Sequence, residues 1–185
     1  MNRLFRIAVP VPIATLLPMV AQAHPGHEAH AGMMQGLLHP LTGWDHLFVL
    51  LALGALAALR GTRVAACCGL LLIAAFMAGA ALGLRFIALP FVEPAILGTV
   101  LICGAMLWMR RAIHPNLLAA LCLGFAFVHG VAHGQEAPAG DIRAYFAGFT
   151  LCAAAIYAMS TLLVLRWKHS ARSAAPRFRR QGEQG

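Results

Sequence analysis

The chain has 185 residues, of which 61% are hydrophobic and 11% are charged, and its mean hydropathy is +0.76. This composition excludes an ordinary soluble domain and is typical of an integral membrane protein. The formal charge of +8 does not indicate a nucleic-acid partner, because the basic residues lie between the apolar runs and near the C-terminal end of the sequence.

Residues 1–23 predict a cleavable secretory signal peptide. A short basic start precedes an apolar run, and the small-x-small sequence that ends at Ala23 fits a cleavage site. An uncleaved first span is the alternative, but the run is short for a bilayer and prolines interrupt it. We therefore expect the mature chain to begin at His24, on the outer side of the membrane.

The segment 24–38 would then form a His-rich outer N-terminal segment. His24, His27 and His30 lie close together with a glutamate, and this composition favours weak, flexible binding of metal ions. A solvated polar tail is an equally good interpretation of the same residues. The sequence alone leaves both interpretations open.

The first candidate metal-binding motif precedes the apolar run 47–59, which predicts the first span. His39 and His46 are seven residues apart, on one helical face, and Asp45 can ligate a metal or orient the neighbouring imidazole. A structural role is the alternative, since Thr42 and Asp45 also fit a capping box at the start of a helix. Taken alone, the motif does not decide between the two roles.

Four further apolar runs predict four more spans, with expected ranges 64–84, 91–109, 115–133 and 142–165. Glu93 opens the third span. There it either interacts favourably with the helix dipole or serves as a metal ligand or proton relay at membrane depth. In the second span, Gly79 and Gly83 form a small-x-x-x-small packing stripe.

The second candidate motif ends the fourth span. His129, His133 and Glu136 stand at positions i, i+4 and i+7, so they share one face if the helix continues that far. Ionisable groups at membrane depth are costly, and imidazoles with a carboxylate at this spacing predict metal ligation. Gly130 and Gly134 would let a neighbouring helix approach closely beside these ligands.

Together these features predict an all-α integral membrane protein, with a cleavable signal peptide followed by about five transmembrane helices in a bundle. The transmembrane helical domain covers 39–168, and 169–185 forms a basic, disordered cytoplasmic tail. This arrangement places the basic loops on the cytoplasmic side, as the positive-inside rule requires. The candidate ligands then all lie at the outer ends of the spans; they are His39, Asp45, His46, Glu93, His129, His133 and Glu136.

The five cysteines are odd in number and form no C-x-x-C pair. They lie inside apolar runs, where cysteine is most often a small buried core residue. A thiolate metal site or a disulfide framework is therefore not expected. The cysteines are Cys67, Cys68, Cys103, Cys122 and Cys152.

The two motifs resemble those of the HupE/UreJ family of membrane proteins. His39-x5-Asp45-His46 fits the family's H-x5-D-H pattern, and the stretch from His129 to Glu136 fits its F-H-G-x-A/V-H-G-x-E pattern, except that Val128 stands where the family usually has the phenylalanine. The resemblance implies a nickel or cobalt permease of hydrogenase or urease systems. One departure is Tyr157, which stands where many members have a histidine. If that histidine is a ligand in relatives, the metal preference or coordination number is expected to differ here.

We therefore expect a transporter and not an enzyme. It would take up divalent nickel or cobalt from the periplasm across the bacterial inner membrane, with its mature N-terminus periplasmic and its C-terminus cytoplasmic. The ion would bind transiently, without a resident cofactor. The sequence contains no P-loop, so transport would be facilitated, coupled to a gradient, or powered by a separate transport subunit. The sequence does not decide whether the chain forms a homo-oligomer. The alternative is a membrane haem or zinc protein that uses the same histidines as ligands.

Overall fold

The computed structural model describes residues 32–85, 91–109 and 113–174. Within these ranges the chain is helical throughout its regular structure and contains no β-strand, which confirms the all-α prediction. The predicted signal peptide, 1–23, lies outside the described residues. The helices are α1 (Met33–Thr42), α2 (Trp44–Arg60), α3 (Thr62–Gly83), α4 (Val92–Trp108), α5 (Pro115–Gln135) and α6 (Ile142–Ala174).

The lengths and apolar character of these helices are those of an integral membrane protein. Helices α3, α5 and α6 are each long and apolar enough to cross a bilayer, and α1 and α2 pass the same test together as one bent span. Helix α4 is apolar but has 17 residues, about 25 Å at a rise of 1.5 Å per residue. The described part of the chain therefore holds three or four candidate membrane-spanning helices.

A break at Gly43 separates α1 from α2 and bends the chain by 76°. Gly43 is extended, and its N–H donates to the His39 carbonyl at 3.0 Å. The prediction that His39 and His46 share one face of a continuous helix is wrong, because the chain turns between them. The turn instead brings their two imidazole rings together, with centroids 5.3 Å apart.

Helices α3 and α5 form the most extensive helix pair among the described residues, and glycines allow it. A methyl group on Gly83 of α3 would overlap the Val131 carbonyl oxygen, and one on Gly79 would overlap the carbonyl of Phe127. Gly130 and Gly134 lie equally close to the backbone of α3. The predicted packing role of both glycine stripes is confirmed, and it holds the second motif against α3.

A second glycine contact fixes the short helix α1 against α6. Gly36 of α1 lies against the Tyr145 carbonyl, and Gly148 of α6 lies against the Met33 carbonyl, with no space for a side chain at either glycine. Because the backbones of α1 and α6 are in direct contact here, the position of α1 is tightly constrained, although α1 has only 10 residues. This contact places His39 beside α6.

Two predicted segment boundaries fall inside helices. Helix α1 begins at Met33, within 24–38, and α6 continues past position 168 to Ala174; residues 175–185 lie outside the described ranges. Lys168 explains part of this extension. Its Nζ donates to the carbonyl oxygens of Ala58 at 3.0 Å and Leu59 at 2.9 Å in the last turn of α2, where a cationic side chain interacts favourably with the final carbonyls of the helix.

Candidate metal centre

Four histidines and one aspartate from three helices converge at one end of the bundle. His39, His46 and His133 form one group of potential ligands, and Asp45, His46 and His129 form a second. Within each group the ligand atoms lie within 4.8 Å of one another. We call these five side chains the histidine cluster. Both sequence motifs contribute to it, so the structure joins residues that are far apart in the chain.

His129 is held in the tautomer that a metal ligand needs. Its Nδ1–H donates to the Phe125 carbonyl at 2.9 Å, which leaves the lone pair on Nε2. This Nε2 is buried and has no hydrogen-bond partner in the described part of the chain. A buried polar atom without a partner costs stability, so its presence indicates a ligand that the protein alone does not supply.

Asp45 lies beside the ring of His46. The aspartate Oδ1 is 2.7 Å from the His46 Nδ1, an ion-pair distance, but the two atoms are not aligned for a hydrogen bond. A small rotation of the imidazole would let the carboxylate orient it as a metal ligand. The opposite nitrogen, Nε2 of His46, faces Nε2 of His133 across the interface between α2 and α5. When these two nitrogens touch, one of them carries a proton and the other must accept it. A metal ion bound between the two nitrogens would replace this contact.

Aromatic side chains from α3 and α6 pack around the cluster, a role that the sequence analysis did not predict. The ring of Phe149 lies with its centroid 4.7 Å from that of His133 and 5.7 Å from that of His39. Phe76 stacks on Phe149 at 4.4 Å, and the buried Tyr145 meets His39 edge-on at 6.2 Å. Phe149 and Tyr145 belong to α6, so these rings pack α6 against the imidazoles.

The structure does not bring Glu93 and Glu136 into either ligand group. Glu136 follows the last residue of α5 as its C-cap, and Glu93 lies in the first turn of α4; both side chains are exposed. Partial burial and, second, the charge of Glu93 raise the pKa of Glu136. The two carboxylates are therefore neighbours of each other, outside both ligand groups.

A cavity of about 40 Å³ adjoins the cluster, which is space for roughly one water molecule. His46 and His129 line it, and the rest of its wall is almost entirely apolar. Leu53 of α2, Leu72 of α3 and Ala126 of α5 are part of that wall. The cavity thus leads from the imidazoles into the interior of the bundle.

Tyr157 lies away from these ligands. Its side chain is buried, and the hydroxyl donates to the Ala65 carbonyl at 2.8 Å, which ties α6 to α3. Tyr157 belongs to neither ligand group. Its position in the fold is that of a packing residue with a satisfied hydroxyl.

Comparison with known proteins agrees with this arrangement of motifs. A family model described as HupE / UreJ protein matches residues 12–181. The chain belongs to the HupE/UreJ family. A similar protein, Protein HupE of Rhizobium leguminosarum bv. viciae, is 36% identical over 138 residues, which are 74% of this chain and 71% of the relative. No solved structure matches the chain at a significant level.

The HupE/UreJ family is associated with nickel and cobalt transport in hydrogenase and urease systems and is not a class of enzymes. The resemblance that was based on the two motifs is therefore confirmed. Within this HupE/UreJ protein, the ring nitrogens that converge belong to those same two motifs: His39, His46, His129 and His133.

Proposed function

We propose that this HupE/UreJ protein is a permease that takes up a divalent transition-metal ion, nickel or cobalt, from the periplasm. The observation that carries the proposal is the unpartnered, buried Nε2 of His129 within the histidine cluster. The ion is cargo that binds transiently, and no resident cofactor takes part. The imported metal would serve the maturation of a hydrogenase or a urease.

The donor set supports a transition metal over the common alkaline-earth ions. Imidazole nitrogen with one carboxylate suits nickel, cobalt or zinc, whereas calcium and magnesium prefer oxygen ligands. Affinity alone does not choose nickel, since copper ranks highest for nitrogen ligands. Selection therefore has to come from coordination geometry and metal supply, and the crowded position of His46 against His133 restricts that geometry.

The same proposal includes about five membrane crossings, with α1 and α2 as one broken span and α4 as a short one. Arg60 and Lys168 lie at the ends of α2 and α6 that are far from His46 and Tyr145, whereas Arg143 lies near Tyr145 at the start of α6. The end remote from the cluster carries most of the basic side chains of these two helices: Arg60, Arg166, Lys168 and Arg172. By the positive-inside rule the basic end is cytoplasmic. The cluster then opens toward the periplasm of the inner membrane.

A haem or zinc protein with the same histidines fits less well. The rings of His46 and His129 have centroids 5.2 Å apart and meet edge to face, which leaves no space for a porphyrin plane between the two imidazoles. A resident zinc would have to stay bound through purification. A purified chain with a haem absorption band, or with one zinc per chain that resists chelators, would contradict the permease proposal.

Uptake of radiolabelled nickel and cobalt by cells expressing the chain tests the proposal. We expect accumulation by the intact chain and none by a His129→Ala, His133→Ala double variant expressed to the same level. His169→Ala is the matched control, because His169 is exposed near the far end of α6. Equal accumulation by the intact chain and the double variant would overturn the proposal.

A further inference from the structure

Helices α3 and α6 leave an apolar groove between them, with a volume of about 680 Å³. The two helices meet in the groove where the Thr150 hydroxyl donates to Met77 Sδ at 3.4 Å. Much of the remaining wall consists of small side chains, which do not fill the space between the helices; these are Ala80, Ala81, Ala147 and Ala154. Because Ala81, Ala147 and Leu151 are exposed and both helices are long enough to cross a bilayer, the groove opens toward the lipid.

The groove has the length of one lipid leaflet. Along α6 it extends from Ile142 to Ala154, a separation of 12 residues, which is about 18 Å at a rise of 1.5 Å per residue. Half of a hydrocarbon core of about 30 Å is about 15 Å. The groove begins where α6 begins, and on α3 it includes Leu84, which follows the last residue of that helix. An acyl chain that enters at headgroup level therefore matches the groove in length and in polarity.

Two arginines lie at the end of the groove where the helices terminate. Arg143 is part of the wall, and Arg85 directly follows Leu84, another wall residue. Both arginines are exposed, and within the described ranges neither forms an ion pair with a carboxylate. Asp141 lies two residues from Arg143, and its Oδ1 accepts a hydrogen bond from the Ala144 N–H at 3.0 Å. Two such cations at headgroup level are complementary to the phosphate of an anionic lipid.

We propose that this groove binds one anionic phospholipid of the leaflet at the histidine-cluster end of the bundle. One acyl chain lies between α3 and α6, and the phosphate lies at Arg85 and Arg143. The site does not depend on metal transport, because it is separate from the histidines and is built from different side chains.

A second copy of the chain fits the groove less well than a lipid. A two-fold axis along the membrane normal would bring two copies of the groove together at the same depth. Arg85 and Arg143 of one copy would then lie against the same two arginines of the other, and these four cations would repel one another. A lipid phosphate neutralises the arginines instead.

Native mass spectrometry of the purified full chain tests the charged part of this site. The chain is released from detergent micelles that contain equal amounts of phosphatidylglycerol and phosphatidylcholine, and the lipids that stay bound are counted. We expect one retained phosphatidylglycerol, with a preference on the order of tenfold over phosphatidylcholine. An Arg85→Gln, Arg143→Gln double variant should lose this preference. Arg166→Gln with Arg172→Gln is the control and should keep it, since both residues are exposed toward the other end of α6.

A second pair of variants tests the apolar part with both arginines in place. Ala147→Leu puts a larger side chain into the groove and should displace the lipid, whereas Ala155→Leu makes the same change at an exposed position of α6 outside the groove and should retain it. Equal retention of the two lipids by the intact chain would refute the proposal, whether or not any variant folds. A dimer of the intact chain that dissociates in Ala147→Leu would assign the groove to a second copy and would refute it as well.

Discussion

The two ends of helices α2 and α5 bury different kinds of side chains. Near one end, the buried residues are His46, His129 and His133, whose ring nitrogens have few protein partners. Toward the other end, Leu56 and Leu118 are 2% and 0% exposed and pack against neighbouring helices. The same pair of helices therefore has one end with buried polar groups that lack hydrogen-bond partners and another end that is apolar and closely packed.

This difference separates the residues that stabilise the bundle from those that make it functional. In a membrane, helix association depends on close packing and dispersion more than on removal of apolar surface from water. The leucine end and the glycine contacts supply this packing. The histidine end opposes it, since each buried polar group without a partner costs about 1–3 kcal/mol.

The largest expected effects come from one substitution at each end of α5. Leu118→Ala leaves a cavity in the packed end and should lower the free energy of unfolding by about 2–5 kcal/mol, with the metal affinity of the folded fraction unchanged. His129→Leu should abolish high-affinity metal binding and leave stability in the absence of metal equal or higher. Thermal unfolding and nickel titration of both purified variants measure this. If the His129→Leu variant were destabilised and still bound nickel, His129 would be a packing residue and not a metal ligand.

A somewhat smaller loss is expected when the contact between α3 and α5 is forced apart. In Gly130→Ala the new methyl group would overlap the Phe76 carbonyl oxygen, and overpacking of this kind costs about 1–3 kcal/mol. Because His129 and His133 flank Gly130 on α5, nickel affinity should fall in the same variant. Gly124→Ala is the control on the same helix, since nothing lies within 4 Å of a methyl group there. Equal melting temperatures for the two variants would disprove the close contact.

Removal of the Asp45 carboxylate should affect binding and leave the fold intact. Loss of a carboxylate that orients an imidazole ligand typically lowers metal affinity by about 10–100-fold. Asp45→Ala should show a loss of this size in nickel titrations, without a change in unfolding. Asp45→Asn retains an oxygen that can accept from His46 Nδ1–H, so its loss should be smaller. If Asp45→Ala binds nickel as tightly as the intact chain, the pairing of Asp45 with His46 has no part in metal binding.

The smallest effect is expected from Glu93 and Glu136, which lie outside both ligand groups. Two neighbouring carboxylates attract cations and raise their rate of arrival, on the order of tenfold at low ionic strength. Glu93→Gln with Glu136→Gln should therefore slow initial uptake in low salt, and the difference should fade as salt is added. Equilibrium affinity should change little. A complete loss of binding would instead identify one of these carboxylates as a direct ligand.

The spacing of residues in the sequence was sufficient to predict which residues of one helix share a face. His129 and His133, four apart on α5, both reach the histidine cluster, where each shares a ligand group with His46, and the glycine stripes at Gly79 and Gly130 pack against the neighbouring helix. Contacts that depend on a change of chain direction were not predictable in the same way. Gly43 ends α1 in an extended conformation, so His39 reaches His46 across a bend. Glu136 follows the end of α5 and stays outside the cluster.

Side chains that take part from within apolar runs left no signal in the sequence. Phe149 and Phe76 look like any other hydrophobic residue of a span, although they pack around the imidazoles. Which residues of α3 and α5 face each other depends on how the two helices are rotated about their axes. The glycine contact between the helices fixes this rotation, and no periodicity within one helix reports it.

The central claim is that the buried histidines bind a transition-metal ion, and X-ray absorption at the nickel edge tests it most directly. The purified full chain in lipid nanodiscs would be loaded with one equivalent of nickel and compared with its His129→Ala, His133→Ala variant. We predict several imidazole ligands around the nickel in the intact chain and their loss in the variant. A shell of water oxygens alone in the intact chain, or an identical spectrum from both proteins, would contradict the account.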